Sequence, residues 1–176
     1  MPPGRLKKLA PSAVAPIVIV DDEPDDIFFL QQQLRRIGVT CPIATFSDGH
    51  EAMTRLRHLA EKSSAPVLPD VLFLDINMPG PTGFSVLCWL REHVQLKNLK
   101  VVMLSGSGDP GDVALATTLT ADAYVAKHPS PSQLEKVLAR LAPALLPASG
   151  VHGPRDEQPT PAPSGKPSTG GRFRAA

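Results

Sequence analysis

The sequence has only two cysteines, nearly balanced charges and no long hydrophobic run. Cys41 and Cys88 lie far apart, without a CxxC pair or a histidine at ligand spacing, which argues against a disulfide framework and a zinc site. With 18 basic and 17 acidic residues the net charge is +1, so no strong field attracts nucleic acid or an anionic membrane. The apolar run from Ala15 to Val20 is too short for a membrane span or a signal core. We therefore expect a cytoplasmic protein without nucleic acid or membrane partners.

The 176 residues divide into a periodic central region and two flanking segments. Residues 1–14 are rich in Pro, Ala and Lys and predict a flexible N-terminal leader. Residues 15–142 are numerous enough to bury one core without disulfides or metals. Residues 143–176 are rich in Pro, Gly and Ser with few large apolar residues, which predicts a disordered tail. One folded domain is expected.

Within the central region, short apolar runs alternate with amphipathic segments. The runs at 17–20, 42–46, 71–75, 100–105 and 123–127 predict strands, and a helical pattern follows each of them. This alternation predicts an α/β fold in which a doubly wound, five-stranded parallel sheet carries helices on both faces, forming a three-layer sandwich.

Polar residues stand at the ends of four predicted strands: Asp21, Asp22, Asp75, Ser105 and Lys127. The carboxyl ends of parallel strands share one edge of the sheet, so these side chains should meet there. Three carboxylates in one crevice repel each other unless they bind a hard divalent cation such as Mg²⁺. A hydroxyl and an ammonium would then contact the oxygens of a phosphoryl group attached to Asp75. The pattern predicts an aspartyl-phosphate site.

A simpler interpretation stays open for each of these residues. Asp75 is followed by Pro79-Gly80, and an aspartate before such a pair is also ordinary turn chemistry. Any single charge at a strand end is likewise compatible with chance.

Four motifs resemble the receiver domain of two-component response regulators, over about residues 16–141. They are Ile17-Val-Ile-Val-Asp-Asp-Glu-Pro, Leu74-Asp-Ile-Asn-Met-Pro-Gly-Pro-Thr-Gly-Phe, Val101-Val-Met-Leu-Ser-Gly and Ala121-Asp-Ala-Tyr-Val-Ala-Lys. The resemblance implies a flavodoxin-like (βα)5 fold with strand order 2-1-3-4-5. It also implies a phosphorelay protein that takes a phosphoryl group from a histidine kinase or histidine phosphotransfer protein. Without an output domain, it would signal to a downstream protein target by contact.

The resemblance also implies a role for individual residues. Asp75 would be the phosphoacceptor, which forms a 4-aspartylphosphate, and Lys127 and Ser105 would contact the phosphoryl group. The implied ligands of Mg²⁺ or Mn²⁺ are Asp21, Asp22, Asp75 and the backbone carbonyl of Asn77. Ser105 would act as a hydroxyl switch whose state the Tyr124 rotamer reports. Such a chain is a signalling phosphoacceptor and not an enzyme, apart from self-catalysed phosphoryl transfer and dephosphorylation.

A narrower resemblance points to the stand-alone receivers associated with phytochrome-type histidine kinases. It rests on the acidic turn 21–26, the Phe28-Phe29 pair, the long loop before Asp70 and the Asp109-Pro110 turn. Phe28 and Phe29 also fall outside the apolar stripe of their predicted helix. We expect them to form a docking surface for the kinase or for a second copy of the chain in a homodimer.

Two positions depart from the family pattern. His128 stands between Lys127 and Pro129, where the family usually has proline directly after the lysine, which leaves the geometry of this loop open. Thr120 stands where glycine is common, and a β-branched residue resists positive φ. We therefore expect this helix to end differently.

Two other functions compete with a phosphoacceptor. A phosphorylation-independent pseudo-receiver that serves only as a binding module would lack one of the acids or the lysine. An aspartyl-phosphate phosphohydrolase of the haloacid dehalogenase type needs a second acid two positions after Asp75, where Asn77 stands. The sequence disfavours both.

Overall fold

The structure is a computed structural model that describes residues 14–62 and 66–148. Each predicted strand is present and is followed by its predicted helix, with ends that differ by a few residues. In chain order the elements are β1 (Ile17–Val20), α1 (Pro24–Arg36), β2 (Ile43–Phe46), α2 (Gly49–Glu61), β3 (Val71–Asp75), α3 (Gly83–Glu92), β4 (Lys100–Ser105), α4 (Pro110–Thr118), β5 (Ala123–Ala126) and α5 (Pro131–Leu141), followed by a 3₁₀ helix (Pro143–Leu145).

The five strands form one sheet in the order β2-β1-β3-β4-β5, and every pair is parallel. From β1 the chain runs first to β2 on one side and then to β3 on the other side. β1 and β3 are therefore adjacent inner strands. Both strands are buried along their whole length, as expected for central strands covered by helices on both faces. The prediction of a doubly wound, flavodoxin-like fold is confirmed.

Alternate residues of the strands supply two separate hydrophobic cores. One core joins the sheet to α2 and α3 and includes Val18, Leu72, Met103, Leu56 and Leu87. The other joins the sheet to α1 and α5 and includes Ile19, Phe73, Val102, Leu34 and Leu134. Helices therefore cover both faces of the sheet, and polar residues lie at the two ends of its strands.

The end of α4 contradicts one sequence expectation. Thr120 adopts the positive φ of 61° that glycine favours, so the helix ends as it would with glycine. A left-handed conformation costs a β-branched residue about 1–2 kcal/mol. Arg91 offsets this cost: its guanidinium donates to the Thr120 carbonyl at 2.9 Å and to the Thr120 hydroxyl at 3.1 Å. The expectation was wrong because a long-range contact stabilises the strained residue.

The packed region extends beyond the predicted boundary at residue 142. Leu145 and Leu146 pack against the α1–α5 core. Pro147 lies so close to Gly38 that a Cβ on this glycine would be 2.8 Å from the proline ring. The predicted leader, apart from residue 14, and the tail beyond residue 148 lie outside the described residues. No helix in 14–62 or 66–148 is long and apolar enough to cross a membrane.

Candidate functional site

The predicted polar residues lie at the carboxyl ends of four strands, which form one edge of the sheet. Asp21 follows β1, Asp75 ends β3, Ser105 ends β4 and Lys127 follows β5. The amide of Lys127 donates to the Ser105 carbonyl at 2.7 Å, which continues the pairing of β4 and β5 up to the lysine. The backbone therefore fixes where these side chains begin.

Three carboxylates form an acidic cluster at this edge: Asp21, Asp22 and Asp75. Each offers one oxygen, and these oxygens lie within 4.8 Å of one another. Asp21 and Asp75 are each only 1% exposed. Lys127 lies 3.2 Å from Oδ1 of Asp75, and Oδ2 has no hydrogen-bond partner among the described residues. Because buried carboxylates that lie together are costly unless their charge is compensated, the cluster favours a further cationic partner.

Lys127 compensates part of this negative charge. Its Nζ lies 3.0 Å from Oδ2 of Asp21 and 3.2 Å from Oδ1 of Asp75. Its shortest contact, 2.7 Å, is with Oδ2 of Asp26 in the first turn of α1. One ammonium thus faces three carboxylates, and the site retains excess negative charge.

Burial and mutual repulsion change the ionisation of the site. Burial raises the pKa of Asp75, and the neighbouring charge of Asp21 raises it further, while Lys127 opposes both effects. Burial also raises the pKa of Asp21, against the hydrogen bond from the Glu23 amide at 3.0 Å. Although burial works against it, the hydrogen bonds to Asp26 and Asp21 raise the pKa of Lys127. Lys127 therefore stays an ammonium at neutral pH.

The acidic cluster fits a hard divalent cation. Carboxylate oxygens are the ligands that Mg²⁺ and Mn²⁺ prefer, and Oδ2 of Asp75, which has no hydrogen-bond partner among the described residues, can accept such a partner. Asn77 is exposed in the loop after β3. Its backbone carbonyl stays a predicted ligand of the cation.

The predicted switch residues Ser105 and Tyr124 both donate hydrogen bonds to a third residue, Ser107. The Ser105 hydroxyl donates to the Ser107 carbonyl at 2.8 Å, and the Tyr124 hydroxyl donates to the same carbonyl at 3.0 Å. The Ser107 amide in turn donates to the Ser105 hydroxyl at 3.1 Å. A displacement of Ser105 would therefore alter the surroundings of the Tyr124 hydroxyl. No side-chain pattern in the sequence indicates this link, because it is a backbone carbonyl.

Asp26 is a member of the site that the sequence did not single out. Its Oδ2 contacts Lys127 at 2.7 Å, and its Oδ1 lies 2.8 Å from Nε2 of His128. Although burial opposes it, the hydrogen bonds from these two residues lower the pKa of Asp26. No spacing in the sequence indicates these contacts, because α1 begins after Asp22 and Asp26 meets Lys127 and His128 on another element.

The two adjacent phenylalanines of α1 have different surroundings. Phe28 is 62% exposed. Phe29 is partly buried, and its ring meets the His128 ring edge-on with a centroid distance of 4.7 Å. Phe28 thus faces solvent, whereas Phe29 packs against the loop after β5.

Gly83 supports the Asp75 end of β3. It begins α3, and its amide donates to the Ile76 carbonyl at 3.0 Å. A Cβ at this position would overlap the Asp75 carbonyl oxygen, which is a backbone atom. Only glycine lets the helix approach the end of β3 this closely.

The chain is similar to signalling proteins in sequence. A family model described as the response regulator receiver domain matches residues 17–139. The chain is 28% identical over 122 residues to response regulator Rcp1 of Synechocystis sp., covering 69% of this chain and 82% of Rcp1. It is 34% identical over 119 residues to the probable transcriptional regulator ycf27 of Guillardia theta, covering 68% of this chain and 42% of ycf27. It thus spans less than half of that longer relative.

Solved structures extend the similarity to the whole fold. The phosphorylated cyanobacterial phytochrome response regulator RcpA is 33% identical with a TM-score of 0.61, covering 77% of this chain and 100% of RcpA. The bacteriophytochrome response regulator RtBRR is 26% identical with a TM-score of 0.64, covering 82% of this chain and 86% of RtBRR.

Proposed function

Because this chain belongs to the response regulator receiver domain family, we propose that it accepts a phosphoryl group on Asp75 from a histidine kinase or histidine phosphotransfer protein. It passes the signal to a downstream protein by direct contact. The observation that carries the proposal is the Asp75 carboxylate, which is buried at a strand end and shares the Lys127 ammonium with two other carboxylates. Such a carboxylate is available as a nucleophile.

In the proposed transfer, an Asp75 oxygen attacks the phosphorus of a phosphohistidine. The O–P bond forms as the P–N bond breaks, and the electron pair of the broken bond returns to the imidazole nitrogen. The Lys127 ammonium donates to one phosphoryl oxygen. The Ser105 hydroxyl leaves the Ser107 carbonyl and donates to another, which changes the surroundings of Tyr124 and conveys the event to the surface.

We propose that Asp21, Asp22 and Asp75 hold Mg²⁺ or Mn²⁺, with the Asn77 carbonyl as a further ligand. When bound, the cation offsets the negative charge that a phosphoryl group adds to the cluster. Asp21 keeps its orientation through the Glu23 amide, which donates to its Oδ1 at 3.0 Å.

A phytochrome-type histidine kinase is the partner that the similar proteins favour. RcpA is a cyanobacterial phytochrome response regulator, and RtBRR is a bacteriophytochrome response regulator. A homodimer, the downstream target and the cytoplasmic location stay predictions. The competing functions gain no support: the acids and the lysine are all at the site, and Asn77 stands where a hydrolase of the haloacid dehalogenase type has an acid.

The proposal is tested by incubating the chain with acetyl phosphate and Mg²⁺ and measuring its intact mass. We expect the wild type to gain one phosphoryl group, and we expect no gain in EDTA or in Asp75→Asn. Equal labelling of the wild type and Asp75→Asn would rule out Asp75 as the acceptor.

A further inference from the structure

The Asp26 carboxylate bridges the site lysine and the residue that follows it. Oδ2 accepts from Lys127 Nζ at 2.7 Å, and Oδ1 lies 2.8 Å from His128 Nε2. The side chain of Asp26 is 19% exposed and that of Lys127 is 16% exposed, so water screens this contact only in part. Asp26 lies outside the group of three carboxylates that fit a cation.

The loop after β5 is held in an unfavourable conformation that keeps this bridge in place. His128 has a φ of 58°, which a non-glycine residue seldom adopts. Its ring contacts Phe29 edge-on and reaches Asp26, so two residues of α1 stabilise the conformation. Pro129, the next residue, is buried. The helix and the loop therefore fix the Asp26 carboxylate on the side of Lys127 that faces α1.

A lysine ammonium has three hydrogens to donate, and Lys127 faces three carboxylates: Asp26, Asp21 and Asp75. A phosphoryl group on Asp75 brings new oxygens that need the same ammonium. Since the shortest contact is with Asp26, this residue competes with the phosphoryl group for Lys127.

We infer that Asp26 is a positioning residue, which holds Lys127 toward α1 and so weakens the hold of the site on a phosphoryl group. The inference rests on the proposed function, because it assumes that a phosphoryl group is bound on Asp75. It adds to that function a fourth carboxylate, which acts only through the lysine and does not touch the reacting atoms.

The test is the affinity of the full chain for beryllofluoride, an analogue of the phosphoryl group, measured by calorimetry with Mg²⁺ present. We expect Asp26→Asn to bind it roughly three- to ten-fold more tightly than the wild type, because Lys127 then turns to the analogue. Asp26→Ala introduces a residue of high helix propensity and should show the same gain in affinity.

Two further variants separate this mechanism from a general loss of negative charge. Asp25→Asn removes the same charge from the neighbouring exposed position of α1 and should leave the affinity unchanged. In a Lys127→Gln background, Asp26→Asn should have no effect. Equal affinity of the wild type and both Asp26 variants would overturn the inference, as would a gain in Asp25→Asn or a gain that persists without Lys127.

Failure of the inference about Asp26 can be distinguished from failure of the proposed function. If the wild type binds beryllofluoride and is labelled by acetyl phosphate, unchanged Asp26 variants overturn only the role of Asp26. If the wild type does neither, the proposed function fails and this inference fails with it.

Discussion

Two aspartates at opposite edges of one sheet have opposite surroundings. Asp122 precedes β5, and its Oδ2 accepts from the Val101 amide at 2.9 Å and from Arg91 at 3.1 Å. Its Oδ1 accepts from Lys100 at 3.0 Å. Asp75 ends β3 among other carboxylates, and the cation beside it, Lys127 at 3.2 Å from its Oδ1, is shared with Asp21 and Asp26. The charge of Asp122 is therefore compensated by two cations and an amide, whereas the charge of Asp75 is compensated only in part.

The difference separates a structural charge from a functional one. A carboxylate with two cations and an amide stabilises the fold, because its charge is compensated where it lies. A buried carboxylate next to like charges destabilises the fold until a cation or another ligand arrives. The amino edge of the sheet is thus secured by polar side chains. The carboxyl edge combines close backbone packing at Gly83 with the ion pairs of Lys127, whose one charge faces three carboxylates.

The largest expected effect on stability concerns that backbone packing. In Gly83→Ala the new Cβ would meet the Asp75 carbonyl oxygen, which cannot move without shifting β3. We expect the free energy of unfolding, measured with urea, to fall by about 3 kcal/mol or more. Gly106→Ala is the control, since a Cβ there meets nothing within 4 Å, and it should change stability by less than about 0.5 kcal/mol. Equal stability of the two variants would show that packing does not secure this edge.

The next effect concerns the satisfied carboxylate. Asp122→Asn removes the charge that Arg91 and Lys100 neutralise, so we expect a loss of about 1–3 kcal/mol in the free energy of unfolding. Labelling by acetyl phosphate should persist in the folded fraction. Asp75→Asn should show the reverse, with labelling lost and stability retained. If Asp122→Asn were as stable as the wild type, the distinction between the two aspartates would fail.

A smaller effect is expected in the pH dependence of stability. Burial raises the folded-state pKa of Asp75 and Asp21, so each contributes stability that is complete below its unfolded-state pKa and is lost as the pH rises through its folded-state pKa. Without divalent cations, the free energy of unfolding should therefore fall more over this window in the wild type than in Asp75→Asn. Urea titrations at a series of pH values measure it. Identical profiles would contradict the raised pKa of Asp75.

Asp26 provides a control of opposite sign for the pH series. Its pKa is lowered in the folded protein, so its contribution is present above the unfolded-state pKa and is lost as the pH falls through the folded-state pKa. Asp26→Asn should remove this loss at acidic pH.

The smallest stability effect is expected at Phe28, which lies on α1 beside the carboxyl edge. Because its ring is 62% exposed, Phe28→Ala should change the free energy of unfolding by less than about 0.5 kcal/mol. Phe29→Ala should cost more, about 1 kcal/mol, through its contact with His128. If Phe28 forms a docking surface, Phe28→Ala slows transfer from a histidine kinase or lowers the mass in solution, while labelling by acetyl phosphate is unchanged. Normal transfer and unchanged mass would remove the docking hypothesis.

The sequence was sufficient to predict the fold because local and global signals agree. Five apolar runs have strand length, a helix follows each of them, and parallel connections allow few topologies. The acidic cluster was predictable for the same reason, since residues that end parallel strands share an edge. Motif resemblance then supplied the roles of these residues, which spacing alone does not provide.

The remaining features depend on contacts between distant elements. Thr120 takes a positive φ because Arg91, far away in the sequence, compensates its cost. Asp26 joins the site because α1 packs beside the loop that carries His128, and no periodicity records that proximity. Single-residue rules fail at these positions because the stabilising partner is on another element.

Mapping the phosphoryl group to a peptide tests the central claim most directly. After labelling with acetyl phosphate and Mg²⁺, borohydride reduction of the acyl phosphate, proteolysis and mass spectrometry identify the modified residue. We predict one modified aspartate, Asp75, in the wild type and in Asp122→Asn alike. A modification on Asp21, Asp22 or any other residue, or none at all, would contradict the proposal that the partly compensated carboxylate of β3 is the phosphoacceptor.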